Sequence, residues 1–212
     1  NTPFVETEMI KPLLCFMLLL TCVAGMACTE PATKIQNQAI LALKAKNYDE
    51  AIALLNKAVA IGPNNFQTHY LLGMAYKAKG RLTEAISEYK KALAVNPNNI
   101  FTQCLLADAY LTTGMIDDAI TVAKQTIVLD PESQLGHYNL GIAYKKQNKK
   151  TAAAHHLYKA GLLAFVDSEP KLAIKSYRAL EEIGHMQTTQ ELYELLEPLL
   201  TPEPKVVPKE SH

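Results

Sequence analysis

The sequence has no tryptophan and no surplus of charge of either sign. Twenty-one lysine and arginine residues face 21 aspartate and glutamate residues in a chain of 212. A protein that binds a nucleic acid backbone gathers basic side chains on one face, so neutral composition without a basic run argues against that class. Because 49% of the residues are hydrophobic, a disordered chain is excluded. The length suits one domain that buries its own core without disulfides.

Signatures of catalysis are also missing from the sequence. It contains no G-x-S-x-G, H-E-x-x-H, G-x-G-x-x-G, phosphate-binding glycine loop or C-x-x-C. His155 and His156 are adjacent, so on a helix they point about 100° apart and cannot both bind one metal ion; we interpret them as solvent-exposed. Cys104 has no obvious histidine or basic partner, and we interpret it as a small residue on a helix face. We therefore expect a non-enzymatic protein without metal or cofactor.

Three of the four cysteines lie close together near the beginning of the sequence, at Cys15, Cys22 and Cys28. Around them, an apolar run follows Lys11 and ends in small residues, which is the layout of a secretory signal. The run has about 15 residues, fewer than the roughly 20 that a membrane-spanning helix needs. We predict a signal peptide over residues 9–27 that begins at Met9. Residues 1–8 are treated as an upstream artefact or fragment edge.

The end of this run, Gly25-Met26-Ala27-Cys28, resembles the lipobox of bacterial lipoproteins. Ala27 and Cys28 fit that pattern, whereas the family prefers leucine at Gly25 and a small residue at Met26. The resemblance implies acylation of Cys28, and several acyl chains together hold a protein on a bilayer. Because Thr29, rather than aspartate, comes next, it implies an outer-membrane lipoprotein facing the periplasm. An ordinary leader peptidase that cuts after Ala27, giving a periplasmic or secreted protein, is the alternative.

From residue 32 onward the same residue types return every 34 positions, in segments that start at Ala32, Phe66, Ile100 and Gln134. Places eight and twenty of each segment carry small residues, and place eleven carries tyrosine in three of the four. Proline stands at place 32 in the first three segments, whereas Phe165 takes that place in the fourth. Since proline cannot continue a helix, each segment predicts two helices separated by a polar turn, with glycine or asparagine closing the first helix.

This pattern resembles the tetratricopeptide repeat. The resemblance implies an all-α, right-handed solenoid of antiparallel helix pairs, with repeats at 32–65, 66–99, 100–133 and 134–167. A further pair, predicted at Glu169–Ile183 and Thr188–Leu200 within residues 168–200, caps the last repeat. The Pro-rich tail, residues 201–212, is expected to be disordered.

In the family, places two, five, nine and twelve of each repeat face a concave groove. The resemblance therefore implies a groove for a peptide or protein segment with hydrophobic anchors, and no small-molecule substrate is evident. The implied groove residues are Gln67, Tyr70, Met74, Lys77, Phe101, Cys104, Asp108, Leu111, Leu135, Tyr138, Ile142 and Lys145. His69 and His137, at place four, are interpreted as packing residues.

These features predict a non-enzymatic adaptor that is tethered to the membrane through Cys28 and binds a protein partner in cell-envelope assembly, pilus formation or secretion. The carboxylate clamp with which some family members hold chaperone tails is missing, since Tyr70 and Met74 occupy two of its places in the second repeat. Two alternatives stay open: a soluble cytoplasmic scaffold, and a docking subunit of an envelope enzyme complex.

Overall fold

A computed structural model describes residues 32–200 of the chain. The predicted signal peptide, Cys28 and the tail at 201–212 lie outside the described residues. Within 32–200 the structure is all-helical and contains no strand, as predicted. The helices are α1 (residues 32–44), α2 (Tyr48–Ile61), α3 (Phe66–Ala78), α4 (Leu82–Val95), α5 (Ile100–Thr113), α6 (Ile116–Leu129), α7 (Gln134–Lys146), α8 (Lys150–Val166), α9 (Pro170–Ile183) and α10 (Met186–Leu200).

These helices belong to two compact units. The described part of the first unit runs from residue 32 to Pro97 and holds α1 to α4, and the second begins at Asn98 and holds α5 to α10. Each unit is built from consecutive helices that pack against their neighbours along the chain. This is the arrangement expected of stacked helix pairs.

Proline sets the length of the second helix in each of the first three pairs. Helices α2, α4 and α6 each have 14 residues and end two residues before Pro63, Pro97 and Pro131. The residue before a proline is driven out of the helical region, so the helix ends early. Phe165 stands at the same place in the fourth pair, and α8 continues to Val166 for 17 residues.

The turn inside each pair depends on a left-handed residue at place fifteen. Gly80, Gly114 and Asn148 have φ of 74°, 80° and 59°, as their residue types favour. In the first turn the prediction was wrong: Lys46 has φ of 62°, whereas Asn47 has φ of −83°. The register of the repeat, rather than the residue type, places the left-handed conformation.

Small residues at place eight let the two helices of a pair approach closely. In the first unit, a Cβ atom added at Gly73 of α3 would clash with the Tyr89 ring of α4. In the second unit, a Cβ atom at Gly141 of α7 would lie 2.7 Å from Cγ of Leu157 on α8. Tyr89 and Leu157 are among the largest fully buried side chains, and the glycines make room for them.

The last two helices close the second unit with a core of their own. Leu192 and Leu196 of α10 are fully buried and cluster with Leu180 of α9 and Leu157 of α8. Helix α9 begins at Pro170, one residue later than predicted, because Glu169 is its N-cap. Helix α10 begins at Met186, two residues earlier than predicted, and contains Pro198. Among residues 32–200 no helix combines the length and the apolar character needed to cross a membrane.

Candidate functional site

In the first unit the predicted groove residues lie on α3. Gln67 is exposed, Met74 is 38% exposed, and Tyr70 and Lys77 are half-buried. The Tyr70 ring stacks on Phe66 at a centroid distance of 5.9 Å and packs against the core cluster of this unit. Tyr70 therefore supports the fold as well as the surface, whereas Met74 offers apolar area that the core does not use.

On α5, in the second unit, the four predicted residues fall into two groups. Phe101 is 71% exposed and Asp108 is half-buried. Cys104 and Leu111 are only 4% and 5% exposed, and burial raises the pKa of the Cys104 thiol to about 11. Both are buried on α5, so each offers little side-chain surface to a ligand.

On α7 the predicted residues form a partly exposed row. Leu135 is 42% exposed, whereas Tyr138 and Ile142 are half-buried and pack against the core of the second unit. Burial raises the pKa of the Tyr138 hydroxyl. Lys145 is half-buried and forms an ion pair with Glu182 of α9, so its ammonium group is already engaged within the unit.

Phe101 and Leu135 lie next to each other in a surface groove of the second unit. The groove runs past the first residues of α5, α7 and α9 and includes the turns that precede α7 and α9. We call it the edge groove, and its other lining residues are Ile100, Cys104, Asp130, Glu132, Ser133, Gln134, Asp167, Glu169, Lys171, Leu172 and Lys175. The repeat pattern predicted Phe101, Cys104 and Leu135 but missed the turn residues, since the family's groove places all lie on the first helix.

The histidines at place four hold a turn and also contact the second helix of their own repeat. Nε2 of His69 donates to the carbonyl oxygen of Pro63 at 2.7 Å, and Nδ1 lies 2.6 Å from a carboxylate oxygen of Glu88. Nε2 of His137 donates to the carbonyl oxygen of Pro131 at 3.2 Å. Both rings are buried, in agreement with a packing role.

In the fourth repeat, a histidine occupies the place that Glu88 has in the second. Nδ1 of His156 lies 3.0 Å from Nδ1 of His137, and the two rings stack with centroids 5.2 Å apart. Burial lowers the pKa of His137, so both rings are neutral at pH 7; with its Nε2 donating to Pro131, Nδ1 of His137 then accepts from Nδ1 of His156. Desolvation, followed by repulsion from His137, His155, Lys159 and Lys124, lowers the pKa of His156 to about 4.

This arrangement corrects the sequence-based interpretation of His156. It is half-buried against α7, whereas its neighbour His155 is exposed as expected. The adjacent positions of His155 and His156 in the sequence did not indicate that His156 contacts His137, which lies 19 residues earlier on another helix. Within the described residues, no three histidine, cysteine, aspartate or glutamate side chains are grouped closely enough to hold a metal ion.

Comparisons with known proteins agree with this geometry. The family model described as tetratricopeptide repeat matches residues 42–100 and 76–137. No curated protein matches the sequence closely enough to be counted as a relative. Among solved structures, a MamA protein is 20% identical, with a TM-score of 0.68 over 85% of this chain and 100% of that chain.

Two further solved structures have the same fold. TTC0263, a thermophilic tetratricopeptide repeat protein of Thermus thermophilus, is 17% identical with a TM-score of 0.53 over 78% of this chain and 99% of that chain. PilF of Pseudomonas aeruginosa is 17% identical with a TM-score of 0.56 over 82% of this chain and 94% of that chain. The repeat register and the family match together show that residues 42–137 are built from tetratricopeptide repeats, and the solved structures share the fold of the described chain.

Proposed function

We propose that the protein is a non-enzymatic adaptor that binds a segment of another protein on the exposed faces of its first helices. The tetratricopeptide repeat fold is a scaffold for protein–protein interaction. One observation carries the proposal: Phe101 and Leu135 stand side by side in the edge groove, 71% and 42% exposed, although both belong to regular helices.

Phe101 and Leu135 are informative because they lie next to each other. Single exposed apolar residues are common on protein surfaces, but an aromatic and a leucine side chain in one groove form the kind of pocket that receives a hydrophobic anchor. The charged residues beside them supply polar contacts that orient a bound segment. An extended or helical peptide with one or two large apolar side chains fits these requirements.

Capture of the partner tests this surface. The partner is first identified by crosslinking and pull-down from envelope membranes with the full chain. Phe101→Ala combined with Leu135→Ala should then reduce capture by at least about tenfold, because a buried anchor contributes on the order of 2 kcal/mol. The circular dichroism spectrum should stay helical, since both side chains lie outside the core.

Val128→Ala is the matched control for this test. Val128 is 81% exposed on α6 and lines neither part of the edge groove. Its substitution should leave capture unchanged. If the Phe101 and Leu135 double variant captures the partner as well as the parent protein does, the binding surface lies elsewhere. If the captured partner is itself an enzyme, the adaptor acts as its docking subunit.

Membrane attachment through an acylated Cys28 is the second part of the proposal, and it places the adaptor in the bacterial envelope. Support comes from the apolar run before Ala27 and from the small residue that precedes the cysteine. Cells fed a radioactive fatty acid should incorporate label into the parent protein and into Cys22→Ser. Cys28→Ser should lose the label.

The mass of the mature N-terminus separates the remaining outcomes. A chain that begins at an unmodified Cys28 indicates ordinary signal cleavage and a periplasmic adaptor. An unlabelled chain that keeps its leader and fractionates with the cytosol would support the soluble scaffold instead. Neither outcome would affect the groove experiment.

A further inference from the structure

The edge groove has a charge pattern that the apolar anchors alone do not explain. Asp130 and Glu132 lie in the turn before α7, and Asp167 and Glu169 lie in the turn before α9. Four carboxylates thus flank Phe101 and Leu135. Lys171 and Lys175 of α9 lie beside Asp167 and Glu169 at the α9 end of the same groove.

The described chain ends beside this groove. Helices α9 and α10 are joined by two residues and contact each other, so they run antiparallel and the end of α10 lies next to the start of α9. Leu200, the last residue of α10, packs against the same core cluster as Leu172, which lines the edge groove. The chain therefore leaves the described residues at the Lys171 end of the groove.

The sequence that follows has a matching order of chemistry. It carries an acid at Glu203, a base at Lys205, two apolar residues at Val206 and Val207, and a base at Lys209. From α9 towards α5 the groove presents two lysines with Asp167 and Glu169, and then the apolar pair with Asp130 and Glu132. Three prolines at 202, 204 and 208 favour extended backbone and lower the entropy lost on docking.

The segment after Leu200 is long enough to span the groove from α9 to α5. An extended chain covers roughly 3.3 to 3.6 Å per residue, so Val206 and Val207 lie up to about 20 to 25 Å from Leu200. Packed helices are spaced about 8 to 10 Å apart, which puts α5 some two spacings, about 20 Å, from α9. Val206 and Val207 can therefore reach Leu135 and Phe101.

We propose that residues 203–209, which their composition predicts to be disordered when undocked, occupy the edge groove of their own chain, with Val206 and Val207 covering Phe101 and Leu135 and with Lys205 and Lys209 facing the carboxylates. The tail then competes with the partner segment for part of the surface proposed above, and the partner binds by displacing it. Photo-crosslinking within the chain requires no partner protein, so this inference and the proposed function can fail independently.

A photo-crosslinking residue, p-benzoylphenylalanine, placed at position 101 of the full chain tests the contact directly. Irradiation should give a crosslinked peptide that contains residues 205–209. The same residue placed at position 128 should not capture the tail, because Val128 is exposed outside the groove. A mixture of isotopically labelled and unlabelled protein should yield crosslinks within single chains only.

Reversing the charge of Lys209 tests how the tail is aligned in the edge groove. Lys209→Glu should lower the crosslink yield about two- to fivefold, the range expected when an exposed ion pair is lost. Adding Glu132→Lys should restore the yield. Crosslinks to a second copy, crosslinks to residues 9–27, or the absence of any crosslink would overturn the proposal. A yield that Lys209→Glu does not lower, or that Glu132→Lys does not restore, would overturn it too.

Discussion

Single glycines decide how closely paired helices approach. We expect Gly73→Ala to destabilise the protein by about 1 to 3 kcal/mol, because the added methyl group meets the buried Tyr89 ring and one of the two must shift. Urea denaturation followed by circular dichroism measures the change. Gly62→Ala is the control: nothing lies within 4 Å of its Cβ position and φ is −140°. The free energy of unfolding of Gly62→Ala should stay within about 1 kcal/mol of the parent value.

His156 makes stability depend on pH. Its folded-state pKa of about 4 lies below the ordinary value of 6.5, so well above pH 6.5 both states are neutral and the shift has no effect. As the pH falls from about 6.5 to about 4, the unfolded chain binds the proton first, and stability is lost across this window. Thermal midpoints measured at pH 7, 6 and 5 should fall less steeply for His156→Gln than for the parent.

His155→Gln provides the comparison for that experiment. The ring is exposed on the same helix, and its repulsion lowers the pKa of His156 less than desolvation does. The pH profile of His155→Gln should therefore stay closer to that of the parent than the profile of His156→Gln does. Equal slopes for the parent and His156→Gln would contradict the assignment of this window to the buried pair.

Helices α3, α5 and α7 begin where a side chain accepts a hydrogen bond from one of their first amide groups. The side-chain oxygen of Asn99 accepts from the amide of Thr102 at 2.9 Å and from its hydroxyl at 2.8 Å. Asn99→Ala should therefore cost about 1 kcal/mol in the free energy of unfolding. Asn98→Ala, one residue earlier and exposed, should change it little. A similar loss for both variants in urea titrations would argue against the cap.

Helix boundaries were predictable where proline stands at place 32 of a repeat. Pro63, Pro97 and Pro131 fixed the ends of α2, α4 and α6, and the substitution by Phe165 accounts for the longer α8. The first turn was not predictable from composition, because Lys46 adopts a left-handed φ that glycine or asparagine usually takes. There the packing of neighbouring helices outweighs the local preference.

For the molecule as a whole, periodicity predicted the all-α repeat fold but only part of the surface. A fixed period places Phe101 and Leu135 on exposed faces, yet it also selected Cys104 and Leu111, which are buried because helix contacts differ from one repeat to the next. The carboxylates of the edge groove lie in turns, where the repeat pattern carries little information. The contact of His156 with His137 depends on two helices and appears only in three dimensions.

The place-four histidines limit how these repeats can be recombined. In the second repeat the partner of the imidazole is a carboxylate, and in the fourth it is another imidazole. A chimera that exchanges α4 with α8 would set His69 against His156 and His137 against Glu88, so each place-four imidazole would lose the partner that its own repeat provides. One that exchanges complete helix pairs keeps each imidazole with its own partner. For this protein the interchangeable module is the whole repeat, cut at its prolines.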